Sequence, residues 1–552
     1  MSEKRSILKI FISSTYRDLK EVRGLLIQGL EEALEAVAME KFLPGDGSSH
    51  EKSIEFLEGS DACIFIIGDY YGTVINDCRI RTGKCGDCNG SISYTHCEYR
   101  RALQANKPHV VYIVESGISD VLSNVERFDL EETREIDLIR FLERNKIDIS
   151  KINLLNGYTL EQIKELWRIA RDENREKLKH FKEEISPELH ARVTISQKEE
   201  YYTFQNRILQ DLKKKIIEWY KEKRINFTDF AGRRKKLPEL IKKLNEENSV
   251  CVWGLGGIGK TALIQLALLL ERLSGRKIYA LYKDYRYTYT KTGYSPAKKK
   301  FDEEKFTRKL TLDEIVNLVL GNYGKSNMEK NKKESALMRE LNREGSILFI
   351  DDLHDADKDV EEFIFRCGNS LNDGAVVAGT RQKGNFYSIV GPLAGLKGTD
   401  LKEMILNLAE NYSTKEHIRD DLDDWIESVF RSTDGHPILV DSIVKNAHVF
   451  LDCKKLDEIR TTNGIMNREA LAEVTRRIVS YILTEKELEF IRYLSKFTDP
   501  INESVYKGNE DILHGLIEKG FLHWREGKLS FIFSILRELI ETDAVNDSYP
   551  NP

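Results

Sequence analysis

Hydrophobic positions in the first part of the chain alternate between short continuous runs, typical of buried strands, and longer runs with helical spacing. The predicted strands lie at residues 6–13, 39–43, 62–67 and 109–114. The predicted helices lie at residues 17–37, in a segment that ends near Gly59, and at residues 95–105. Because strands and helices alternate, we expect a parallel three-layer α/β sheet with ligands bound outside the carboxyl ends of its strands.

The pattern changes beyond this region. Residues 118–224 are helical in spacing and highly charged, with amphipathic stretches at 159–184 and 199–222. Their charged runs are typical of solvated helix faces. A second alternation of strands and helices follows, and the last part is helical with one short hairpin. The chain is therefore expected to contain several domains, some α/β and some mostly α.

A glycine-rich loop joins an apolar strand at residues 250–253 to a helix that begins near Thr261. Its glycines let backbone N–H groups turn inward around a phosphate, and the helix N-terminus adds partial positive charge. Lys260 is expected to reach the β- and γ-phosphates of a nucleotide, and the Thr261 hydroxyl is expected to hold Mg²⁺. The residues that match or lie within the pattern G-x-x-x-x-G-K-[ST] are Gly254, Gly256, Gly257, Gly259, Lys260 and Thr261.

Further along, four apolar residues at 347–350 run into Asp351 and Asp352. Two carboxylates at the end of a buried strand repel each other unless a cation compensates them. We expect Asp351 to hold Mg²⁺ through water, and Asp352 to orient or deprotonate the attacking water. ATP or ADP with Mg²⁺ are therefore the expected ligands.

Composition and charge exclude several classes of protein. Of the 552 residues, 41% are hydrophobic, and the formal net charge is −6, so a sizeable core is expected and no overall attraction to nucleic acid. The N-terminus has no signal-peptide pattern, and no run of about 18 apolar residues occurs. We expect a cytoplasmic protein that does not cross a membrane. Eight cysteines are too sparse for a disulfide framework.

Four of the cysteines lie within twenty residues and include one C-x-x-C pair; they are Cys78, Cys85, Cys88 and Cys97. Four soft ligands at this spacing can close a tetrahedral Zn²⁺ site. The alternative is a group of free thiols in a surface insertion.

Residues 282–310 interleave tyrosine and lysine, a combination that can follow a nucleic-acid backbone and stack on bases. A surface hairpin or loop is the interpretation we favour. Nucleic-acid binding therefore stays an alternative.

The N-terminal part carries a resemblance to a known family. Its matching segments are residues 11–19, Phe-Ile-Ser-Ser-Thr-Tyr-Arg-Asp-Leu, with residues 42–46, 60–68 and 71–72. Residues 6–114 resemble a TIR-like family of uncertain function that opens with FISSTxxDL and often precedes a signalling NTPase. NAD-cleaving TIR domains have a catalytic glutamate at the start of the equivalent helix. The resemblance implies that role for Glu98, with NAD⁺ as substrate. The alternatives are a helix N-terminal contact or a non-enzymatic interaction surface.

Five motifs in order resemble the STAND class of NTPases, which contains the NACHT and NB-ARC proteins. The lead-in Asp-Phe-Ala-Gly-Arg at 229–233 implies that Phe230 and Arg233 line the adenine side of the site. Arg381, at the end of a strand, is similar to a sensor residue that contacts the γ-phosphate. The turn Gly-His-Pro at 435–437 implies that Pro437 packs near the base, with His436 in a supporting position.

The segment after residue 475 resembles the winged-helix domain that closes STAND NTPases. The pattern over residues 513–533 is a helix followed by two short strands joined by a turn. A histidine that reads the ADP β-phosphate often stands in this region of the family. Phe533 and Ser534 occupy that place here, and neither supplies the contact.

Together these patterns predict a multidomain α/β plus α protein. The expected domains are a TIR/flavodoxin-like parallel sheet with a helical extension (1–222), a P-loop NTPase core (223–390), a small helical domain (391–472), a winged helix (473–545) and a tail (546–552). The resemblances imply an ATP-hydrolysing switch that forms homo-oligomers, responds to an unidentified trigger or sensor partner and activates its N-terminal module in prokaryotic antiviral defence. The alternatives are an N-terminal scaffold that recruits a partner, or a regulatory ATPase linked to nucleic acid.

Overall fold

The computed structural model divides into two compact units, Met1–Phe227 with Leu273–Gly275, and Thr228–Arg272 with Arg276–Pro552. It describes residues 8–31, 33–38, 49–76, 91–115, 160–185, 190–194, 200–227, 230–283, 302–306, 309–321, 329–343, 345–381, 386, 388–411, 422–445, 484–497, 501–518, 521–525 and 528–531. In the described part, no helix is long and apolar enough to cross a bilayer.

The first unit is built on a five-stranded parallel sheet. Its strands are β1 (Lys9–Ser14), β2 (Glu35–Val37), β3 (Ala62–Ile67), β4 (His109–Glu115) and β5 (His190–Thr194). Their order is β2-β1-β3-β4-β5, and every neighbouring pair is parallel. All residues of β3 are buried, as its continuous apolar run predicts. The predicted parallel α/β sheet is confirmed.

Six helices accompany this sheet in the described residues. They are α1 (Tyr16–Glu31), α2 (Ser49–Glu58), α3 (Tyr94–Gln104), α4 (Leu160–Ala170), α5 (Arg175–Glu184) and α6 (Glu200–Lys221). Leu178 and Phe181 of α5 join the core cluster that contains Phe65 of β3 and Tyr99 of α3. The amphipathic stretches predicted at 159–184 and 199–222 are therefore helices.

Two elements of this unit differ from the sequence prediction. The helix predicted over residues 17–37 ends at Glu31, and Glu35–Val37 forms β2. The apolar spacing continues past Glu31, but parallel pairing with Lys9–Phe11 satisfies the backbone of β2 and buries Ala36 and Val37. Tertiary contacts thus override the helical pattern. The strand predicted at 39–43 lies outside the described residues.

The edge strand β5 is the second difference, because residues 118–224 were expected to be helical. Its sequence, His-Ala-Arg-Val-Thr, is short and half polar, so it gives no strand signal of its own. It is defined by its parallel pairing with residues 111–115 of β4.

The second unit contains a six-stranded sheet with the order β11-β6-β10-β9-β7-β8, in which every neighbouring pair is parallel. Its strands are β6 (Ser249–Trp253), β7 (Ile278–Lys283), β8 (Asp302–Phe306), β9 (Ile347–Ile350), β10 (Ala375–Thr380) and β11 (Ser388–Val390). Its helices are α7 (Lys236–Glu246), α8 (Lys260–Leu273), α9 (Leu312–Leu320), α10 (Lys330–Arg343) and α11 (Lys358–Ser370). All residues of β6, β9 and β10 are buried.

Of residues 282–310, which were expected to form a surface hairpin or loop, residues 284–301 and 307–308 lie outside the described residues. Strand β8 corrects the expectation at residues 302–306. It pairs with β7 in parallel, which a hairpin cannot do. Its sequence, Asp-Glu-Glu-Lys-Phe, is almost entirely charged, so only its place beside β7 reveals it.

Helices dominate the rest of the unit. The described residues 398–411 and 422–445 include α12 (Gly398–Asn411), α13 (Leu422–Thr433) and α14 (Pro437–Lys445), which share a core around Trp425. They are followed by α15 (Glu485–Ser495), α16 (Glu503–Tyr506) and α17 (Glu510–Glu518). The antiparallel hairpin of β12 (Leu522–Arg525) and β13 (Lys528–Phe531) comes last, and Ile501 forms an antiparallel bridge to Leu529 of β13.

Candidate functional site

Three adjacent strands of the second unit bring the predicted site residues together. Strand β10 lies between β6, which leads into the glycine loop, and β9, which leads into the two aspartates. All three are parallel, so their carboxyl ends meet at one edge of the sheet. Arg381 follows β10 and is therefore placed between the loop and the aspartates. The backbone also links loop and strand, since Gly254 N donates to Thr380 O at 3.3 Å.

The glycine loop fills the turn between β6 and the first residue of α8, Lys260. Gly257 and Gly259 have φ angles of 72° and 95°, in the left-handed region that favours glycine. Leu255 and Ile258 are buried and anchor the loop to the core. The open side of the loop thus offers backbone N–H groups and a helix N-terminus, which is a favourable environment for a phosphate.

Lys260 is buried at the base of this loop. Its Nζ donates hydrogen bonds to Gly254 O at 2.9 Å and to Leu255 O at 3.0 Å. Burial lowers the pKa of Lys260 to about 8; Asp352 opposes this shift and the cation Arg381 adds to it. The ammonium group is therefore held against the loop in surroundings that a bound anion would stabilise.

The Thr261 hydroxyl donates to Asp351 Oδ1 at 2.8 Å, joining α8 to the end of β9. A hydroxyl and a carboxylate are the hard oxygen ligands that Mg²⁺ prefers. Asp351 is buried, and Gly379 of β10 lies beside it, where an added Cβ would meet Oδ1 at 3.4 Å. These residues fit a Mg²⁺ ion at the same edge as the loop.

Asp352 has a left-handed backbone, with φ 45° and ψ 55°, and begins a 3₁₀ turn over Leu353–Asp355. A non-glycine residue in this region is uncommon and is often found at functional positions. The turn directs the chain away from β9 immediately after the two acids.

His354, in the same turn, was not identified from the sequence. Its Nδ1 lies 3.8 Å from Asp352 Oδ1, and its Nε2 lies 3.9 Å from Asp355 Oδ2. Burial lowers the pKa of His354 to about 4, so the imidazole is neutral at neutral pH. The only signal in the sequence was its position two residues after Asp352.

Arg233 connects the lead-in segment to the glycine loop. Its guanidinium donates to Ile258 O at 2.8 Å and also to Ala394 O, and its backbone N–H donates to Asp400 Oδ2 at 2.9 Å. Phe230, three residues earlier in the sequence, is also buried. The structure thus places Arg233 on the backbone of the loop.

The Gly-His-Pro turn approaches the same loop from the helical segment. His436 is fully buried, and its Nε2 lies 3.1 Å from Gly256 O. A carbonyl only accepts, so Nε2 carries the proton in this bond. Pro437 is the first residue of α14, a position where a missing N–H has no cost. His436 thus contacts the backbone of the loop.

In the first unit, Glu98 lies on α3 and is 3% exposed. It accepts a hydrogen bond from Ser13 Oγ at 2.5 Å and another from Ser53 Oγ. Burial raises the pKa of Glu98, and both serine hydrogen bonds oppose the shift. Both carboxylate oxygens are thus engaged within the core. Next to it, Cys97 Sγ lies 3.3 Å from His50 Nε2, and both side chains are buried.

Cys78, Cys85, Cys88, Phe533 and Ser534 lie outside the described residues. The described part contains no group of three or more histidine, cysteine or acidic side chains that could hold a metal ion.

Strand β6, the glycine loop and α8 lie beside the acidic end of β9, with β10 between the two strands. This arrangement constitutes a P-loop NTPase core. Residues 9–213 match the family described as "Domain of unknown function (DUF4062)", which assigns no activity. No curated protein matches the chain.

Several solved structures align with the chain at low similarity. The STAND protein with a tetratricopeptide repeat sensor, PH0952 from Pyrococcus horikoshii, is 19% identical over 56% of this chain and 42% of its own length, with a TM-score of 0.26. The Walker-type ATPase PABY2304 of Pyrococcus abyssi is 13% identical over 57% and 96%, with a TM-score of 0.36. Cdc6p from Pyrobaculum aerophilum is 12% identical over 57% and 94%, with a TM-score of 0.27. These scores are too low to support an argument about function.

Proposed function

We propose that this protein binds and hydrolyses ATP with Mg²⁺ and that nucleotide state switches it between two forms. The observation that carries the proposal is the 2.8 Å contact between Thr261 and Asp351, made at the edge where Lys260 also lies. A phosphate loop alone would support only anion binding. The neighbouring hydroxyl and carboxylate add a metal-binding pair, which phosphoryl transfer requires.

Each residue has a distinct role in this mechanism. The loop N–H groups and Lys260 bind the β- and γ-phosphates, and Thr261 and Asp351 hold the metal ion, which neutralises phosphate charge when bound. Asp352 orients the attacking water and accepts its proton. Arg381, which follows β10, stabilises charge on the γ-phosphate.

The direct test is nucleotide binding by the full chain. A fluorescent ADP analogue should bind the parent in the presence of Mg²⁺ and fail to bind Lys260→Ala. The control is Lys242→Ala, which removes a 71% exposed lysine of α7 and should leave binding unchanged. Equal affinity in all three proteins would contradict the site.

Two side chains outside the glycine loop contact its backbone, one from the α12–α14 segment and one from the lead-in, and these contacts favour a switch. His436 contacts Gly256 O, and Arg233 contacts Ile258 O. A phosphate that reorders the loop must change these contacts, so the segment and the nucleotide are coupled through differential affinity. We propose that ATP favours a form that self-associates into a homo-oligomer after a trigger. Molecular mass measured with ADP and with a non-hydrolysable ATP analogue would test this step.

For the N-terminal unit, the burial of Glu98 argues against an open catalytic site, and we keep the recruiting scaffold as the preferred alternative. Both of its oxygens already accept serine hydroxyls, so NAD⁺ could reach the carboxylate only after rearrangement. The prediction of NAD⁺ cleavage is tested by nicotinamide release from the ATP-bound full chain and from Glu98→Gln. Release that disappears in the variant would establish the enzymatic alternative.

Antiviral defence and a zinc site remain predictions from the sequence, and metal analysis of the purified chain would decide the second. A nucleic-acid-linked ATPase is the remaining alternative. It requires binding to DNA or RNA that weakens with added salt.

A further inference from the structure

His354 lies inside the nucleotide site without a role in the mechanism above. Its side chain is 9% exposed, in the turn that follows Asp352. Within the part of the chain that the structure describes, its Nδ1 atom has no hydrogen-bond partner. Buried polar nitrogens are nearly always satisfied, so this atom points to a ligand or a water that completes the site.

The spacing of Nδ1 and the Asp352 carboxylate indicates what that partner is. Their 3.8 Å separation is too long for a direct hydrogen bond. For a water oxygen about 2.8 Å from both atoms, the angle between the two directions is roughly 85°. This angle is close enough to the H–O–H angle of water for the water to donate one hydrogen to each group. Its lone pairs would then be directed away from both groups.

A carboxylate lies near each ring nitrogen, since Asp352 Oδ1 is 3.8 Å from Nδ1 and Asp355 Oδ2 is 3.9 Å from Nε2. The two carboxylates hold the imidazole with Nδ1 toward Asp352. Lys260 and Arg381 oppose protonation of the ring. The neutral imidazole therefore binds the water through Nδ1, which accepts a hydrogen from it in one tautomer and donates one to it in the other.

We propose that His354 is a catalytic residue for ATP hydrolysis, in which its Nδ1 and the Asp352 carboxylate together hold the attacking water. This inference rests on the proposed ATPase function. The water oxygen forms a bond to the γ-phosphorus while the bond from that phosphorus to the β–γ bridging oxygen breaks. The electron pair of the broken bond stays on the bridging oxygen and leaves with ADP. One water proton passes to Asp352, and the other stays on the phosphate product. His354 orients the water and takes no proton.

The test compares three variants of the full chain. His354→Leu removes Nδ1, His354→Asn keeps a polar atom near the position of Nδ1, and Asp355→Asn removes the carboxylate that faces Nε2 and helps to hold the ring. The control is His514→Leu, which replaces an exposed histidine of α17 in the same unit. The readouts are kcat for ATP hydrolysis, affinity for ADP, and affinity for ADP with aluminium fluoride, which mimics the transferring phosphoryl group.

We expect His354→Leu to bind ADP within about threefold of the parent and to lose about 10²-fold in kcat and in preference for aluminium fluoride. His354→Asn should retain most of that preference, and Asp355→Asn should lose about tenfold. Because the aluminium fluoride preference is a binding measurement, it decides the matter even where turnover is slow. If His354→Leu does not fold, the Asn variants decide it.

Parental preference for aluminium fluoride in His354→Leu would overturn the proposal. An equal loss of ADP affinity would do the same, because it would indicate a structural role only. Failure of the parent to bind any nucleotide would instead refute the ATPase function itself.

Discussion

Thr261 and Asp351 are separated by 90 positions in the sequence, yet the Thr261 hydroxyl donates to Asp351 Oδ1 at 2.8 Å. Thr261 is the second residue of the helix after the glycine loop, and Asp351 follows a strand two places away from β6 in the sheet. This contact brings the proposed phosphate-binding and metal-binding halves of the site together.

The first prediction concerns this pair. Thr261→Ala should reduce the contribution of Mg²⁺ to ADP affinity by at least about tenfold, because one oxygen ligand of the ion is lost. Binding of ADP in EDTA should be unchanged, since the loop and Lys260 remain. Calorimetric titration of ADP at several Mg²⁺ concentrations measures both. Thr261→Ser keeps the hydroxyl and should resemble the parent; an unchanged Mg²⁺ dependence in Thr261→Ala would remove this residue from the metal site.

The second prediction concerns pH. The pKa of Lys260 lies at about 8 in the folded chain, below its ordinary 10.5, because of burial. Phosphate stabilises the charged ammonium, so binding above pH 8 requires proton uptake. ADP affinity should therefore fall above pH 8, by up to about tenfold per pH unit.

Stability should follow the opposite trend. Between pH 8 and 10.5 the folded state binds fewer protons than the unfolded state at this lysine, so its contribution to the free energy of unfolding rises with pH.

Titrations with ADP between pH 7 and 9.5 test the binding prediction. Lys260→Arg, whose charge does not titrate in this range, should show a flat profile. A flat profile in the parent would contradict the assignment.

The residues of the candidate site in the second unit could be identified from the sequence because they lie in short local motifs. Residues 254–261 and 351–352 each lie on a few consecutive positions, and an apolar strand precedes each group. What the sequence could not give is the strand order. That β10 separates β6 from β9, and so carries Arg381 between them, is a property of the sheet.

The residues that were missed are defined by partners distant in sequence. Strands β2, β5 and β8 have no strand pattern of their own, and each forms because its backbone pairs with a neighbouring strand. His354 was missed because a histidine in a polar turn is unremarkable until its distance from Asp352 and its burial are known. Tertiary pairing, and not local propensity, decides such cases.

The third prediction concerns a buried ion pair beside the lead-in segment. Arg234 Nη2 lies 2.6 Å from Glu403 Oε2 of α12, and each side chain is only 9% exposed. Arg234→Met leaves a buried carboxylate without its cation and should destabilise the second unit by about 3–5 kcal/mol. Arg234→Met combined with Glu403→Leu should recover much of that loss. Thermal unfolding of the four proteins completes the cycle, and additive effects would show that the two groups do not interact.

The fourth prediction concerns Glu98. In Glu98→Gln the amide oxygen can accept one serine hydroxyl while the amide NH2 donates to the oxygen of the other serine, so stability should change by less than about 1 kcal/mol. Glu98→Ala leaves Ser13 and Ser53 without their acceptor in the core and should cost about 1–3 kcal/mol. The thermal midpoint of each variant measures this difference. Equal midpoints for Gln and Ala would mean that the hydrogen bonds do not support the fold.

The fifth prediction concerns the coupling of the glycine loop to α14. His436 Nε2 donates to Gly256 O at 3.1 Å across 180 positions of sequence, so His436→Leu removes one of the side-chain supports of the loop. Amide hydrogen exchange at residues 254–259 should become faster in this variant without nucleotide, because the loop opens more often. Bound ADP holds the same loop and should largely restore protection, while ADP affinity falls by about 3–10-fold as ordering the loop costs more. The exposed-histidine variant His514→Leu should show parental exchange. Unchanged exchange in His436→Leu would mean that the helical segment does not restrain the loop, and the proposed switch would then need a different connection between nucleotide and helices.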